Sequence, residues 1–158
     1  MSEWEQIEGS LATPRGFRAA AVAAGIKKAH GALDLALIVS DIPDTVAAGL
    51  FTTNQAAAAP VLLSRQNLAK SHGHAQAVVV NAGNANACTG RLGAQAAQKT
   101  VEAVADLLDV PPQLVLVAST GVIGVPLKVD GILEQLPRLK ESLSVEKRRG
   151  GSGRNHDH

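Results

Sequence analysis

The chain has 158 residues, of which 46% are hydrophobic and 18% are charged, and its formal net charge is +1. This length fits one domain, which can bury roughly 68–70% of the surface of the unfolded chain. Residues 146–158 carry a net charge of +2 and the remainder sums to −1, so the body of the protein gives no electrostatic support for binding nucleic acid or an anionic membrane.

Cysteine usage and the start of the chain bear on the compartment. Cys88 is the only cysteine, so no disulfide can form within the chain, which fits a reducing environment. The first ten residues contain three glutamates and no long apolar run, which argues against a signal peptide. No stretch approaches the roughly 20 consecutive apolar residues of a membrane-spanning helix. We therefore expect a soluble, cytoplasmic protein.

The first half of the chain predicts a series of short strands. The apolar run Leu33–Ser40 is bounded by turn residues and has the length of a buried strand. Val46–Thr53 is a second strand candidate, and a third lies around Ala59–Leu63. Gln66–Ser71 is expected to form a helical turn.

The second half predicts strands that alternate with helices. Ala77–Val80 contains three consecutive valines, which are typical of a buried strand. Thr89 is a candidate N-cap for a helix that ends before Pro111 and Pro112. The apolar positions of this helix recur at helical spacing: Ala97, Val101, Val104 and Leu108.

Another apolar strand is predicted over Leu114–Ala118, and a short helix follows it. Val129, Ile132, Leu133 and Leu136 mark one face of that helix, which Pro137 is expected to end. The pattern predicts a mixed α/β (α+β) fold.

Two strand-to-turn junctions could carry chemistry. Asn81–Gly90 reads NAGNANACTG, which suits either a turn with left-handed backbone positions or a site built from amide side chains and backbone N–H groups. Ser119–Gly124 reads STGVIG, which suits either a tight turn with a local hydroxyl hydrogen bond or a pocket that stabilises a negative oxygen. The residues by themselves leave both pairs of alternatives open.

Other reactive residue types give weaker signals. Cys88 lies between a strand and a helix, where a thiolate nucleophile is conceivable, but no histidine is near it in sequence and we expect a small buried cysteine. The histidines lack the spacing of a metal site and are expected at the surface: His30, His72, His74, His156 and His158. No phosphate-binding glycine motif is present. The sequence predicts neither a metal nor a cofactor.

Six segments, in a fixed order, carry a family resemblance. They are GFRAAAVAAGIKK (16–28), DLALIVSD (34–41), AGLFTTN (48–54), AAPV (58–61), VVVNAGNANACTG (78–90) and VLVASTGVIG (115–124). Together they are similar to the ornithine/glutamate N-acetyltransferase family of arginine biosynthesis, from about Thr13 to Leu139. The last two segments are the most specific.

This resemblance implies a layered helix-sheet-sheet-helix fold that is shared between two halves of a self-cleaving precursor. It implies that a new N-terminal threonine, with its own α-amine as base, takes the acetyl group of N-acetylornithine and passes it to glutamate in a ping-pong scheme. Thr120 and Gly121 match the family's oxyanion-hole pair, in which the hydroxyl and the glycine N–H hold the negative oxygen. The complete enzyme is expected to be an oligomer.

The sequence departs from the family at the nucleophile. The family's cleavage segment, Pro-Asn-Met-Ala-Thr-Met-Leu, occurs nowhere in these 158 residues. We therefore expect an acetyltransferase fragment that is inactive alone and whose partner is the missing carboxy-terminal half, the β chain. The alternative is a stand-alone, non-catalytic binding domain.

Composition divides the chain into a polar lead-in (1–12), a domain (13–145) and a tail (146–158) that is glycine-rich, basic and without apolar residues. We expect this tail to be disordered. It is also expected to be a frameshift product, because codons for Asn155–His158 read one base later allow Ile-Met-Thr-Thr, which relatives carry at about this place. A genuine divergent tail is the alternative.

Overall fold

The computed structural model describes residues 8–144. The predicted tail lies wholly outside the described residues, as does most of the predicted polar lead-in, so both remain predictions. Within the described range the chain forms a four-stranded sheet and three α-helices, which confirms the mixed α/β class. None of these helices is both long enough and apolar enough to cross a membrane.

The elements follow one another as strand, strand, helix, strand, helix, strand and helix. Their bounds are β1 (Phe17–Val22), β2 (Leu35–Ser40), α1 (Ala59–Lys70), β3 (Ala77–Asn84), α2 (Gly90–Leu108), a 3₁₀ turn (Pro112–Leu114), β4 (Val115–Val122) and α3 (Val129–Glu141). The strands lie side by side in chain order. β1, β2 and β3 are antiparallel neighbours, whereas β3 and β4 run parallel and α2 connects them.

The core lies on one face of this sheet. Alternate residues of β2, β3 and β4 are buried there because successive side chains of a strand point to opposite faces. They are Leu35, Leu37, Val39, Ala77, Val79, Val115 and Val117. The helices α2 and α3 contribute the facing side chains, among them Val101, Val104, Ile132 and Leu139. The residues between them, such as Ile38 and Val78, are only half-buried, so the opposite face carries apolar side chains with incomplete cover.

The helix α1 lies along the outer edge of β4 and corrects the strand predicted around Ala59–Leu63. Pro60 is in the first helical turn, where its fixed φ suits a helix start. The Ser64 hydroxyl donates to the Val117 carbonyl at 2.7 Å and accepts from the Val117 N–H at 2.8 Å. Asn67 Nδ2 donates to the Val115 carbonyl at 2.9 Å. Polar side chains of the helix thus satisfy backbone groups that an edge strand leaves unpaired.

The strand predicted over Val46–Thr53 does not form. Val46 makes only an isolated bridge with His74, and the Leu50 side chain is fully exposed. In this segment Phe51 instead borders a cavity together with Leu68 of α1 and Leu116 of β4. Its apolar residues therefore do not indicate a sheet position.

Two further differences from the sequence-based expectation have simple causes. The strand β1 was not predicted because its FRAAAV sequence shows no clear alternation of apolar and polar residues. The helix α3 continues past Pro137 to Glu141. Pro137 is exposed and removes one backbone hydrogen bond, while Leu139 beyond it is fully buried and holds the last turn on the core.

Candidate oxyanion site at the end of β4

Thr120 and Gly121 lie in the last three residues of β4. They are paired with Ala82 and Gly83 of β3, and both are exposed to solvent. Exposure matters for Thr120, because a side chain turned into the core could not reach a substrate. Thr120 follows Ala118 on the face opposite the buried Val117.

Gly121 can only be glycine in this backbone. Its φ is +133°, a value that side-chain-bearing residues rarely adopt. A Cβ built there would lie 2.3 Å from the carbonyl carbon of Gly83 and 2.5 Å from the Asn84 nitrogen. The ends of β3 and β4 therefore approach each other more closely than any side chain at this position would allow.

The hydrogen bonds of β4 indicate where the Gly121 N–H points. In a sheet, the backbone groups of successive residues point alternately to the two neighbouring sides. The Val122 carbonyl accepts a hydrogen bond from Ala85 on the β3 side at 2.9 Å, whereas the Val117 N–H points outward to Ser64. Gly121 lies an even number of residues after Val117, so its N–H points to the same side as that of Val117, the outer edge of β4. The Thr120 hydroxyl and the Gly121 N–H are thus neighbouring groups at an accessible strand end, and their convergence on one atom stays a prediction.

The segment Asn81–Gly90, which comprises the end of β3 and the loop after it, uses its amide side chains within the fold. Asn81, Asn84 and Asn86 are buried. Asn81 accepts a hydrogen bond from the Ser119 hydroxyl at 2.6 Å and donates to the Asn84 carbonyl at 2.8 Å. Asn86 donates to the Gly93 carbonyl at 2.9 Å. The first four residues of the segment continue β3 instead of forming the predicted turn, and only residues 85–89 connect β3 to α2.

The end of β3 and the loop after it also support the chain that leaves β4. Asn84 Nδ2 donates to the Val125 carbonyl at 3.0 Å, and the Gly124 N–H donates to the Ala87 carbonyl at 2.9 Å. Ser119 before the Thr120–Gly121 pair and Gly124 and Val125 after it are therefore held by hydrogen bonds to β3 and to the loop after it. This support favours a fixed position for donors that must be arranged before a reaction begins.

The remaining candidate residues do not join this site. Cys88 is exposed with a φ of +55°, so the expectation of a buried cysteine is wrong. The loop turns there through a left-handed position, which directs the side chain away from the core. Thr89 precedes α2 as predicted, but its hydroxyl donates to Asn86 Oδ1 and does not cap the helix.

The histidines also lie apart from it. His30 and His72 are exposed as predicted, whereas His74 is half-buried with a ring nitrogen 3.1 Å from the Asp44 carbonyl oxygen. His156 and His158 are outside the described residues. Within the described part of the chain, no three His, Cys, Asp or Glu residues are grouped as they would be around a metal ion.

Two cavities are open beside the helices. One of about 400 Å³ lies between α1 and α2 and is bordered by Leu63, Gln66 and Gln98. Another of about 300 Å³ is mostly apolar, is bordered by Phe51 and Leu116, and reaches along β4 as far as Ser119. Neither is lined by the Thr120–Gly121 pair, which lies beyond the end of the second cavity.

The sequence model described as the ArgJ family matches residues 18–153. The chain belongs to the ArgJ family. It is 51% identical over 144 residues to the arginine biosynthesis bifunctional protein ArgJ of Thermosynechococcus vestitus, and 47% identical over 141 residues to the chloroplastic protein of the same name from Zea mays. These alignments cover 91% and 89% of this chain but 34% and 30% of the relatives, so the chain spans about a third of their length.

Solved structures give the same relationship. The ornithine acetyltransferase of Mycobacterium tuberculosis, crystallised in complex with ornithine, superimposes with a TM-score of 0.81 at 45% identity, and the match covers 86% of this chain and 72% of that one. The ArgJ protein of Bacillus halodurans gives a TM-score of 0.74 at 36% identity, with 80% and 64% covered. The predicted ornithine acetyltransferase type of fold is thereby confirmed.

Two residues beside the site were not singled out from the sequence. Gly83 has a φ of +106° and lies directly against Gly121. Asp34 is a buried carboxylate at the start of β2. The signal for Asp34 was a charged residue next to an apolar run, and the signal for Gly83 was a glycine inside NAGNANACTG, but neither pattern indicates which residues are neighbours in space.

Proposed function

We propose that this chain is the amino-terminal part of an ornithine/glutamate N-acetyltransferase and that it supplies the oxyanion hole through Thr120 and Gly121. The nucleophilic threonine is contributed by a carboxy-terminal part produced by self-cleavage, and this chain alone does not transfer acetyl groups. The complete enzyme is a cytoplasmic oligomer that acts on N-acetylornithine and glutamate without a cofactor.

The proposed reaction is a double displacement. The threonine oxygen attacks the acetyl carbonyl carbon of N-acetylornithine while the α-amine of that threonine takes the hydroxyl proton. The carbonyl oxygen becomes negative in the tetrahedral intermediate, where the Thr120 hydroxyl and the Gly121 N–H donate hydrogen bonds to it. Collapse of the intermediate breaks the C–N bond, and ornithine leaves with the proton. The amino group of glutamate then attacks the acetyl ester, and N-acetylglutamate is released.

The backbone at Gly121 is the observation that supports this role most directly. Gly121 has a positive φ and lies against Gly83 at the exposed end of β4, next to the exposed Thr120, and the alternation along β4 directs its N–H to the outer edge. Backbone donors held by the fold stabilise a developing oxyanion without reorganising during the reaction.

Complementation is the decisive experiment. The chain is produced together with the carboxy-terminal part of the Thermosynechococcus vestitus relative, and acetyl transfer from N-acetylornithine to glutamate is measured by the appearance of N-acetylglutamate. We expect transfer by the complemented protein and none by either part alone. A complex that forms but remains inactive would contradict the proposal and favour the stand-alone binding domain.

A variant that lacks the hydroxyl tests the oxyanion role within the complemented enzyme. Thr120→Val keeps the shape of the side chain and removes its donor, so kcat should fall by about 10²- to 10³-fold, which corresponds to about 2.7–4 kcal/mol of barrier. Ser142→Ala is the control, since it removes an exposed hydroxyl at the end of α3 that donates only to the Arg138 carbonyl. Equal activity of the two variants would remove Thr120 from the mechanism.

A further inference from the structure

The carboxylate of Asp34 is buried and receives three backbone hydrogen bonds. Its side chain accepts from the N–H groups of Ala24 at 2.6 Å, Ile26 at 2.7 Å and Lys27 at 2.9 Å. Asp34 is only 4% exposed. A carboxylate in such a position is tolerated when hydrogen bonds replace the lost water, so the loss of any of these donors is costly.

The main chain of Asp34 is also fixed. Its N–H donates to the Val22 carbonyl of β1 at 3.1 Å, and its own carbonyl accepts from the Ala82 N–H of β3 at 2.8 Å. The carboxylate therefore projects from a backbone that is held on both sides. It ties residues 24–27, which have no regular secondary structure, to the sheet.

Residues 24–27 lie directly against Gly83. A Cβ at Gly83 would be 3.0 Å from Lys27 Cγ, 3.1 Å from the Lys27 nitrogen and 3.2 Å from the Ile26 carbonyl carbon. On its other side, Gly83 is the residue that approaches Gly121 most closely. Three stretches of backbone are thus in contact in one row: residues 24–27, the end of β3 and the end of β4.

We propose that Asp34 is a positioning residue for the oxyanion hole: by holding residues 24–27 against Gly83, it fixes the end of β3 and so the direction of the Gly121 N–H. This inference rests on the proposed function for its meaning in catalysis. The contacts among residues 24–27, the end of β3 and the end of β4 lie within this chain, so they can be tested without measuring enzyme activity.

The first test replaces the carboxylate in the full chain. In Asp34→Asn, one acceptor oxygen becomes an NH₂ group that faces a backbone donor, so at least one of the three hydrogen bonds is lost. We expect the amide resonances of Gly83 and Gly121 to shift, and the order parameter of the Gly121 N–H to fall from about 0.85 toward the flexible range below about 0.6.

Asp41→Asn is the matched control. It removes the same charge at the other end of β2, where Asp41 is exposed and pairs with Arg18. The Gly121 amide should be unchanged in this variant. A folded Asp34→Asn chain with unchanged Gly83 and Gly121 resonances would overturn the proposal.

A second variant displaces residues 24–27 without changing Asp34. Gly131 is within α3, and a Cβ there would lie 2.7 Å from the Ala24 carbonyl oxygen. Gly131→Ala should therefore displace residues 24–27 while keeping Asp34 and favouring the helix. We expect a shifted Gly121 resonance in a protein that remains folded, with a lower unfolding temperature because the clashing atom belongs to the backbone. A displaced Ala24 together with an unaltered Gly121 would overturn the proposal, even if Asp34→Asn does not fold.

Kinetics of the complemented enzyme give the catalytic readout. An oxyanion donor acts mainly in the transition state, so Asp34→Asn should lower kcat by about tenfold and change KM by less than about twofold. Asp41→Asn should leave both constants unchanged. A rise in KM with kcat intact would contradict the positioning role. If the unsubstituted complemented protein is inactive, the proposed function fails, whereas the resonances of Gly83 and Gly121 still decide the role of Asp34.

Discussion

Gly121→Ala is the substitution that the structure predicts to be most disruptive at the candidate site. Two effects contribute. Alanine would have to adopt a φ of +133°, and its Cβ would lie 2.3 Å from the Gly83 carbonyl carbon. Real Cβ atoms show essentially no contacts below 3.0 Å, and the neighbour is backbone, so β3 and β4 must separate at this end.

The two effects can be given rough magnitudes. A residue with a side chain in a sparsely populated backbone region costs about 1–3 kcal/mol. Forcing an additional carbon into a packed contact costs about 1–3 kcal/mol more. The expected loss in the free energy of unfolding is therefore about 2–6 kcal/mol, compared with a total of about 5–15 kcal/mol for a typical domain.

Comparison with Gly124→Ala isolates the steric cost of the added Cβ. Gly124 also has a positive φ, +79°, but a Cβ there would meet nothing within 4 Å. Urea unfolding followed by circular dichroism gives the free energy of unfolding of both variants, and Gly121→Ala should be lower by about 1–3 kcal/mol. Equal stabilities within about 0.5 kcal/mol would refute the argument that the close approach of β3 and β4 requires glycine.

Three further outcomes are expected. Ser64→Ala leaves the buried backbone of Val117 without its partner and should cost about 1–3 kcal/mol in urea unfolding, whereas Ser142→Ala at an exposed site should cost less than about 1 kcal/mol. Loss of the exposed Arg18–Asp41 ion pair in Arg18→Gln should lower stability by less than about 1 kcal/mol, and less again in high salt; a larger loss would indicate a role beyond the pair. The chain should self-associate through the incompletely covered sheet face, so Ile38→Lys should shift its sedimentation toward the monomer; a monodisperse unsubstituted monomer would contradict this.

Periodicity was sufficient for the inner strands and for α2. Leu35–Ser40 and Ala77–Val80 are dominated by apolar side chains, so the strand pattern is clear there, whereas the polar Asn81–Asn84, predicted as a loop, continue β3. The same reasoning failed for α1. Its hydrophobic residues lie beside polar ones that serve the edge of β4, and Ser64 and Asn67 are buried for their hydrogen bonds. Window-based patterns do not anticipate a polar side chain whose partner is about fifty residues away.

The candidate site was predicted only as far as a local motif allows. Thr120 and Gly121 were identified through a family resemblance, and the structure places both at an exposed strand end. Gly83 lies against Gly121 although it is nearly 40 positions away in the chain, and Asp34, nearly 90 positions away, connects to the site only through Ala82 and residues 24–27. A contact of that kind follows from the register of the sheet and not from the spacing of residues in one segment.

The outer edge of β4 connects the fold to the proposed chemistry. An exposed edge strand presents unpaired N–H and C=O groups, which invite pairing with another strand. Here Ser64 and Asn67 occupy the outward groups of Val115 and Val117, and among the described residues no side chain of α1 bonds to the outward groups beyond them. Gly121, whose N–H points to the same outer side, lies in that open stretch. The outward backbone groups of β4 are therefore hydrogen-bonded to α1 at Val115 and Val117, where free groups would only promote aggregation. Around Gly121 no side chain of α1 bonds to them, which is where the proposed function needs a backbone N–H donor.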